Sequence, residues 1–182
     1  MKLPSSSTYA FWLALFRIYT GAFWLMHGIP KFTHSADFMP PTGMMNGFIN
    51  NAITHTSGPY QWFLSFVVLP NAGIFAEVVR LGEVLTGLLL FFGLFTRVGA
   101  LIGIALSLNY LTASGDLRHL SVMLSGLNSA ALMLSLINLV LPTGRVFGID
   151  GLLFKPRGAA TPGQQAVFVD EPPMRGPTAP TA

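Results

Sequence analysis

Glu83 is the residue from which function can be argued first, because it sits inside a long, largely apolar run from Ile74 to Tyr110. About 20 apolar residues span a bilayer core, so this run is long enough for two crossings joined by a turn at Phe95, Thr96 and Arg97. An ionisable carboxyl near mid-membrane is expensive and is by default a functional-site candidate; here it is a group able to hold or pass a proton. Arg17 places a guanidinium in another apolar stretch, and Arg80 stands three residues before Glu83. Arg17 could meet Glu83 across neighbouring helices, which would lower the cost of both charges.

Other groups surround this carboxyl by spacing. Arg17, Gly21, Trp24, Gly28 and Lys31 follow a 4-3-4-3 rhythm and share one helix face. Ala76, Arg80, Glu83 and Gly87 form a similar stripe. With a rise of about 1.5 Å per residue, Arg17 stands about 9 Å, Asn109 about 16 Å, Glu83 about 18 Å and Asn128 about 20 Å above one membrane boundary. Each span thus contributes a polar group to one slab. The plain alternative is structural: Arg17 snorkels, Glu83 is protonated or pairs only with Arg80, and the asparagines bond neighbouring helices for about 1 kcal/mol each. His27 and Lys31, one turn apart at the outer mouth, suit an anion or a lipid headgroup. A metal or haem site is not expected, since His27 and His34 flank Pro30 and no carboxylate cluster shares their face.

The elements that must position these groups are membrane helices. Of 182 residues, 52% are hydrophobic and 9% charged, against about 25% charged in soluble domains. The expected fold is all-α, a polytopic membrane four-helix bundle. Its spans run over about 11–32, 74–95, 98–112 and 119–141. Gly99, Gly103 and Ser107 make a ridge of small residues on the third, and Ser121, Ser125, Asn128, Ser135 and Asn138 a polar face on the fourth. The long first loop, Thr33 to Gly73, holds two apolar pieces, Met44 to Ile53 and Tyr60 to Leu69. Both are too short to span and read as interfacial or re-entrant helices.

Charge and composition set the remaining expectations. The start, M-K-L-P-S-S-S-T, does not read as a cleaved signal, so the first segment is expected to remain as a helix. Lys2, Arg97, Arg145, Lys155 and Arg157 fall on the side of the termini, which predicts a multi-pass protein of a bacterial or archaeal cytoplasmic membrane with both termini cytoplasmic. The net charge of +3 therefore reflects topology, and nucleic acid is not an expected partner; the lipid bilayer and other membrane subunits are. Gly144 to Phe154 reads as an interfacial segment. Residues 156–182, rich in Pro, Gly, Ala and Thr, read as a disordered or partner-bound tail after a domain over 1–155. No cysteine is present, so dithiol redox chemistry and thiolate metal sites are excluded, and electron chemistry needs a bound cofactor or a partner. Motifs for hydrolysis or phosphoryl transfer are lacking, and no inverted repeat argues for a transporter.

The stretches R-I-Y-T-G-A-F-W-L-M-H-G-I-P-K-F (Arg17 to Phe32) and G-E-V-L-T-G-L-L-L-F-F-G-L-F-T-R-V-G-A-L (Gly82 to Leu101) resemble the DoxX/DoxD family of four-span membrane proteins. The long first loop with Gly58-Pro59 and the terminal G-R-V-F-G-I-D-G-L-L are most similar to the DoxD branch, the membrane subunit of thiosulfate:quinone oxidoreductase. The resemblance covers about residues 10 to 155. It implies a subunit of a quinone-linked oxidoreductase, with Arg17, Lys31, Glu83 and Arg97 matching the family's recurring charged positions. On that reading quinone binds between the spans, Glu83 handles protons, and Arg17, Trp24 or Asn109 orients the ring. The competing expectation is an accessory subunit without chemistry, packed against a larger respiratory or photosynthetic membrane complex.

Overall fold

The computed structural model describes residues 6–115, 126–145 and 147–153. Among them the secondary structure is all-helical. Four long helices carry the architecture: α1 (Ser6–Gly28), α6 (Ala72–Phe92), α7 (Thr96–Ala113) and α8 (Leu127–Val140). Helix α1 packs on α6, α6 on α7, α7 on α8, and α8 returns to α1. Short helices α2 (Pro30–Thr33), α3 (Ser35–Phe38), α4 (Met44–His55) and α5 (Pro59–Phe63) fill the first connection, and α9 (Ile149–Leu153) follows α8.

The sequence boundaries shift for local reasons. Pro30 has no N–H to extend the ladder, so the first segment breaks after Gly28 and resumes as α2. Helix α6 ends at Gly93, which adopts the left-handed conformation (φ 65°) and donates to Leu90 O, while Leu94 donates to Leu89 O. That pair is the Schellman arrangement, for which glycine carries no Cβ penalty. The expected turn at Phe95 to Arg97 therefore lies earlier, and Thr96 already begins α7. The start expected for the fourth span, the Ser114 to Arg118 turn beyond Gly115, and the tail from Pro156 lie outside the described residues.

The predicted small-residue stripes are the packing surfaces. A Cβ at Gly21 would come within 2.6 Å of Phe91 Cα, one at Gly28 within 2.9 Å of Val84 N, and one at Gly87 within 2.9 Å of Leu25 N. Helices α1 and α6 therefore meet backbone to backbone, a contact that only small residues permit. Gly99, Gly103 and Ser107 are buried along α7, as the ridge predicts. Outward, the same helices expose Ile74, Val78, Leu81 and Leu85 on α6 and Val98, Leu101 and Leu108 on α7. By length and composition one helix, Thr8–Thr33 counted through the Pro30 break, is long and apolar enough to cross a membrane (26 residues, mean hydropathy 1.2).

The first connection is a folded cap. Phe38, Met45, Ile49, Ala52, Leu64 and Val68 are buried together with Ala72 and Ala76 at the start of α6, so the short helices share a core with the long one. The second apolar piece splits into α5, a π-helical stretch (Leu64–Val68) and a 3-10 turn (Leu69–Asn71) that runs into α6. Tyr60 fastens this cap to α7 by donating to Asn109 Oδ1 at 2.9 Å, and burial pushes its phenol above the usual tyrosine range.

The α1–α6 contact yields the first prediction. Gly21→Val should destabilise the protein by at least about 1–3 kcal/mol through overpacking against the α6 backbone. The exposed change Ile74→Val should be nearly neutral, and thermal unfolding in detergent followed by circular dichroism compares the two.

Candidate functional site

Glu83 is 1% exposed, and its carboxylate is held by two side chains from other elements. Lys31 Nζ donates to both of its oxygens at 2.5 Å, and the Tyr110 hydroxyl donates to Oε1 at 2.5 Å. The local sequence makes this possible. Gly28 brings α1 within reach of Glu83 Cβ, the break at Pro30 carries Lys31 into the short α2, and Tyr110 lies in the last turns of α7. Lys31 Nζ also lies 5.2 Å from the Phe38 ring centroid and 5.8 Å from that of Tyr110. Aromatic faces favour a cation there and offset part of its lost hydration. The Lys31 side chain is 21% exposed, so the ion pair sits at the edge of the interior and not in its centre.

Arg17 goes elsewhere. It is 1% exposed, and Nη1 donates to Leu90 O at 3.0 Å and Phe91 O at 3.3 Å, while Nη2 donates to Phe147 O at 3.1 Å. These acceptors include the last carbonyls of α6, where the helix dipole is negative and a cation is stabilising. Leu90 is seven residues past Glu83 on α6, roughly 10 Å along the axis. The expected Arg17–Glu83 pairing is thus replaced by two separate arrangements at opposite ends of the α1–α6 contact. Arg80 does not serve Glu83 either: it pairs with Glu77 and stacks on the Phe32 ring at 4.4 Å.

The remaining sequence candidates divide. Trp24 is buried and donates from Nε1 to Ser135 Oγ at 3.3 Å, beside Gly103, where a Cβ would meet both groups. It ties α1 to α8 in the middle of the molecule. His27 is exposed, donates back to Phe23 O at 2.8 Å and rests on the Phe23 ring at 4.4 Å, so it does not join Lys31. Asn109 is exposed and serves Tyr60 of the cap. Asn128 is half-buried at the start of α8, whereas Asn138 on the same helix is fully buried. Asn138 donates to Thr20 Oγ1 at 3.1 Å and accepts from Thr143 at 2.9 Å. The structure therefore gathers Lys31 and Glu83, keeps Arg17 and Trp24 in the interior away from them, and leaves His27 and Asn109 outside.

Two residues were not anticipated. Tyr110 continues the Gly99, Gly103, Ser107 ridge by one further helical step, and that spacing is the signal that points to it. Asp150 of α9 accepts from Phe95 N at 2.7 Å and Thr96 N at 2.9 Å, while its own N–H donates to Gly93 O at 2.8 Å. It caps the N-terminus of α7 from 54 residues away. The cap holds Phe95 in a left-handed conformation (φ 45°) that a bulky side chain rarely adopts. The segment expected to be interfacial is thus a strap, tied to α1 by Arg17 and to α7 by Asp150.

A family model, DoxX, matches residues 12–113, more than half of the chain. The chain belongs to the DoxX family. The DoxX match spans α1 to α7 and so includes Arg17, Trp24, Lys31, Glu83, Asn109 and Tyr110; α8 and the strap lie beyond it. Membership in DoxX, a family of membrane proteins, accords with the apolar helix Thr8–Thr33, which is long enough to cross a membrane. No curated protein and no solved structure matches the chain.

The site yields two predictions. Lys31→Met leaves a buried carboxylate without its counter-charge and should cost about 3–5 kcal/mol. Adding Glu83→Gln should recover much of that loss, a coupling that a double-mutant cycle by thermal unfolding measures. Asp150→Ala removes the α7 cap and should cost about 0.5–2 kcal/mol, with Asp150→Asn costing less because it keeps one acceptor; the same unfolding assay ranks them.

Proposed function

We propose that the chain is a multi-pass membrane subunit associated with quinone-linked electron transfer, with Glu83 handling protons at the mouth of the bundle. In this reading all four long helices cross the bilayer, both termini are cytoplasmic, and the cap lies on the outer side. The observation that carries the proposal is the Lys31–Glu83–Tyr110 cluster. A buried carboxylate bonded to a partly exposed ammonium and a phenol is a short route by which a proton can leave the interior.

The donor set suits a quinone. An ammonium is a donor that a quinone carbonyl accepts from, and the Phe38 and Tyr110 rings beside Lys31 offer faces for a flat ring. A bound quinone takes up two electrons and two protons on reduction. The electrons come from a partner subunit, since the cysteine-free chain has no dithiol to give them. Lys31, whose ammonium keeps a third N–H beyond the two given to Glu83, would orient the ring oxygen, Tyr110 would hold the carboxylate, and Glu83 would hold and relay the proton. Arg17 and Trp24, in the interior but tied to Phe147 O and Ser135 Oγ, would keep the helices in place around it.

A second reading is favoured by one specific observation: both oxygens of Glu83 already have partners, as in a static clamp. The chain would then be a non-catalytic accessory subunit of a larger membrane complex. Purification in mild detergent from native membranes, with mass spectrometry of accompanying proteins and quinones, separates the two. The quinone-linked reading expects retained quinone. It also expects Glu83→Gln to lower quinone-linked electron flow by at least about a hundredfold, the scale of a lost acid–base group, at unchanged protein level. Unchanged flow in that variant, with stoichiometric complex subunits and no quinone, would establish the accessory role.

A further inference from the structure

We propose that the cleft between the α6–α7 turn and the strap binds the phosphate of an anionic phospholipid. The inference rests on the reading that the long helices cross a membrane, and it concerns the end of the molecule opposite Glu83. The cleft holds about 200 Å³. Ligand pockets for whole organic molecules run to about 300–1,000 Å³, so this volume suits a headgroup and not a ring with its tail.

Its walls have the chemistry of a phosphate site with a lipid side. Arg97 and Arg145 both line it and both are exposed. Among the described residues the carboxylate ion pairs are Lys31–Glu83 and Arg80–Glu77, so neither guanidinium is engaged by a carboxylate. A guanidinium matches two phosphate oxygens at once. Asp150 also lines the cleft, but its two oxygens accept the Phe95 and Thr96 amides, which offsets its repulsion of an anion.

The floor supplies the independent observation. Thr96, 3% exposed, lines the cleft, and its buried hydroxyl has no hydrogen-bond partner. A buried hydroxyl without a partner is costly, and a phosphate oxygen at the floor would relieve it. Gly144 packs closely beside that floor, where a Cβ would strike the Thr96 hydroxyl and the Asp150 carboxylate, so glycine is the residue this wall admits. The outer wall is apolar: Phe95, Val98 and Leu141 are exposed where acyl chains would run. Arg97 and Arg145 lie on the side assigned to the cytoplasm, where anionic headgroups attract basic residues.

The test uses the full chain reconstituted with equal amounts of phosphatidylglycerol and phosphatidylcholine, released for native mass spectrometry. Phosphatidylglycerol should be retained in preference. Arg97→Gln with Arg145→Gln should lower its retention about tenfold, the equivalent of a lost charge-assisted bond. Arg80→Gln, which alters the pair with Glu77, should leave retention unchanged. Equal retention of both lipids, or indifference to the double variant, overturns the proposal. Displacement of phosphatidylglycerol by inorganic phosphate alone overturns the lipid source and reassigns the cleft to a free anion. Flotation with neutral phosphatidylcholine vesicles separates the premise: a chain that floats without lipid preference refutes only the cleft, whereas one that does not float refutes the membrane reading as well.

Discussion

The backbone contact between α1 and α6 is the constraint on which the other arrangements depend. Gly21, Gly28 and Gly87 let the helices approach until no side chain fits between them, and that approach fixes their register. With register fixed, Arg17 must meet the carbonyl end of α6, and Lys31, seven residues after Trp24 and beyond the Pro30 break, must meet Glu83. Two charges that would each be costly in an apolar interior are placed where a complementary group is waiting. The packing surface and the electrostatic pattern are one design read at two scales.

The other side of the molecule solves the same problem with neutral groups. Helix α8 faces α1 with Ser135 and Asn138, which bond Trp24 and Thr20, and Thr143 extends this chain of bonds toward the strap. These bonds need no counter-ion and lose little when water is absent, since the groups would otherwise lack partners. They make the α1–α8 side specific without adding charge. The polar groups of the interior are therefore spread along its length, from the strap to the cap, and do not form the single slab that helix heights alone suggest.

What could be read from the sequence follows from periodicity. The stripes on α1, α6 and α7 obey the helical repeat, and the structure buries Arg17, Trp24, Glu83 and Gly103 on them while leaving Lys31 and Arg80 half-buried. The partners were less legible. A sequence invites pairing of opposite charges, yet Arg17 is satisfied by carbonyl groups, which every residue carries and no residue type announces. Tyr110 extends a recognisable ridge, but its tie to Glu83 depends on how α7 turns against α6. The two apolar pieces of the first loop are visible as short helices. That they share a core with Ala72 and Ala76 is a tertiary fact.

The remote cap on α7 ties the order of synthesis to the order of assembly. When α6 and α7 have been synthesised, the amides of Phe95 and Thr96 still lack the carboxylate that will accept them, because Asp150 has yet to be made. At about 5–20 residues per second, translation reaches it several seconds later. Until then the hairpin can sample different openings at that end. Arrival of the strap closes the turn between α6 and α7 and at the same time gives Arg17 the Phe147 carbonyl, so the last described segment of the chain locks the first helix against the middle two.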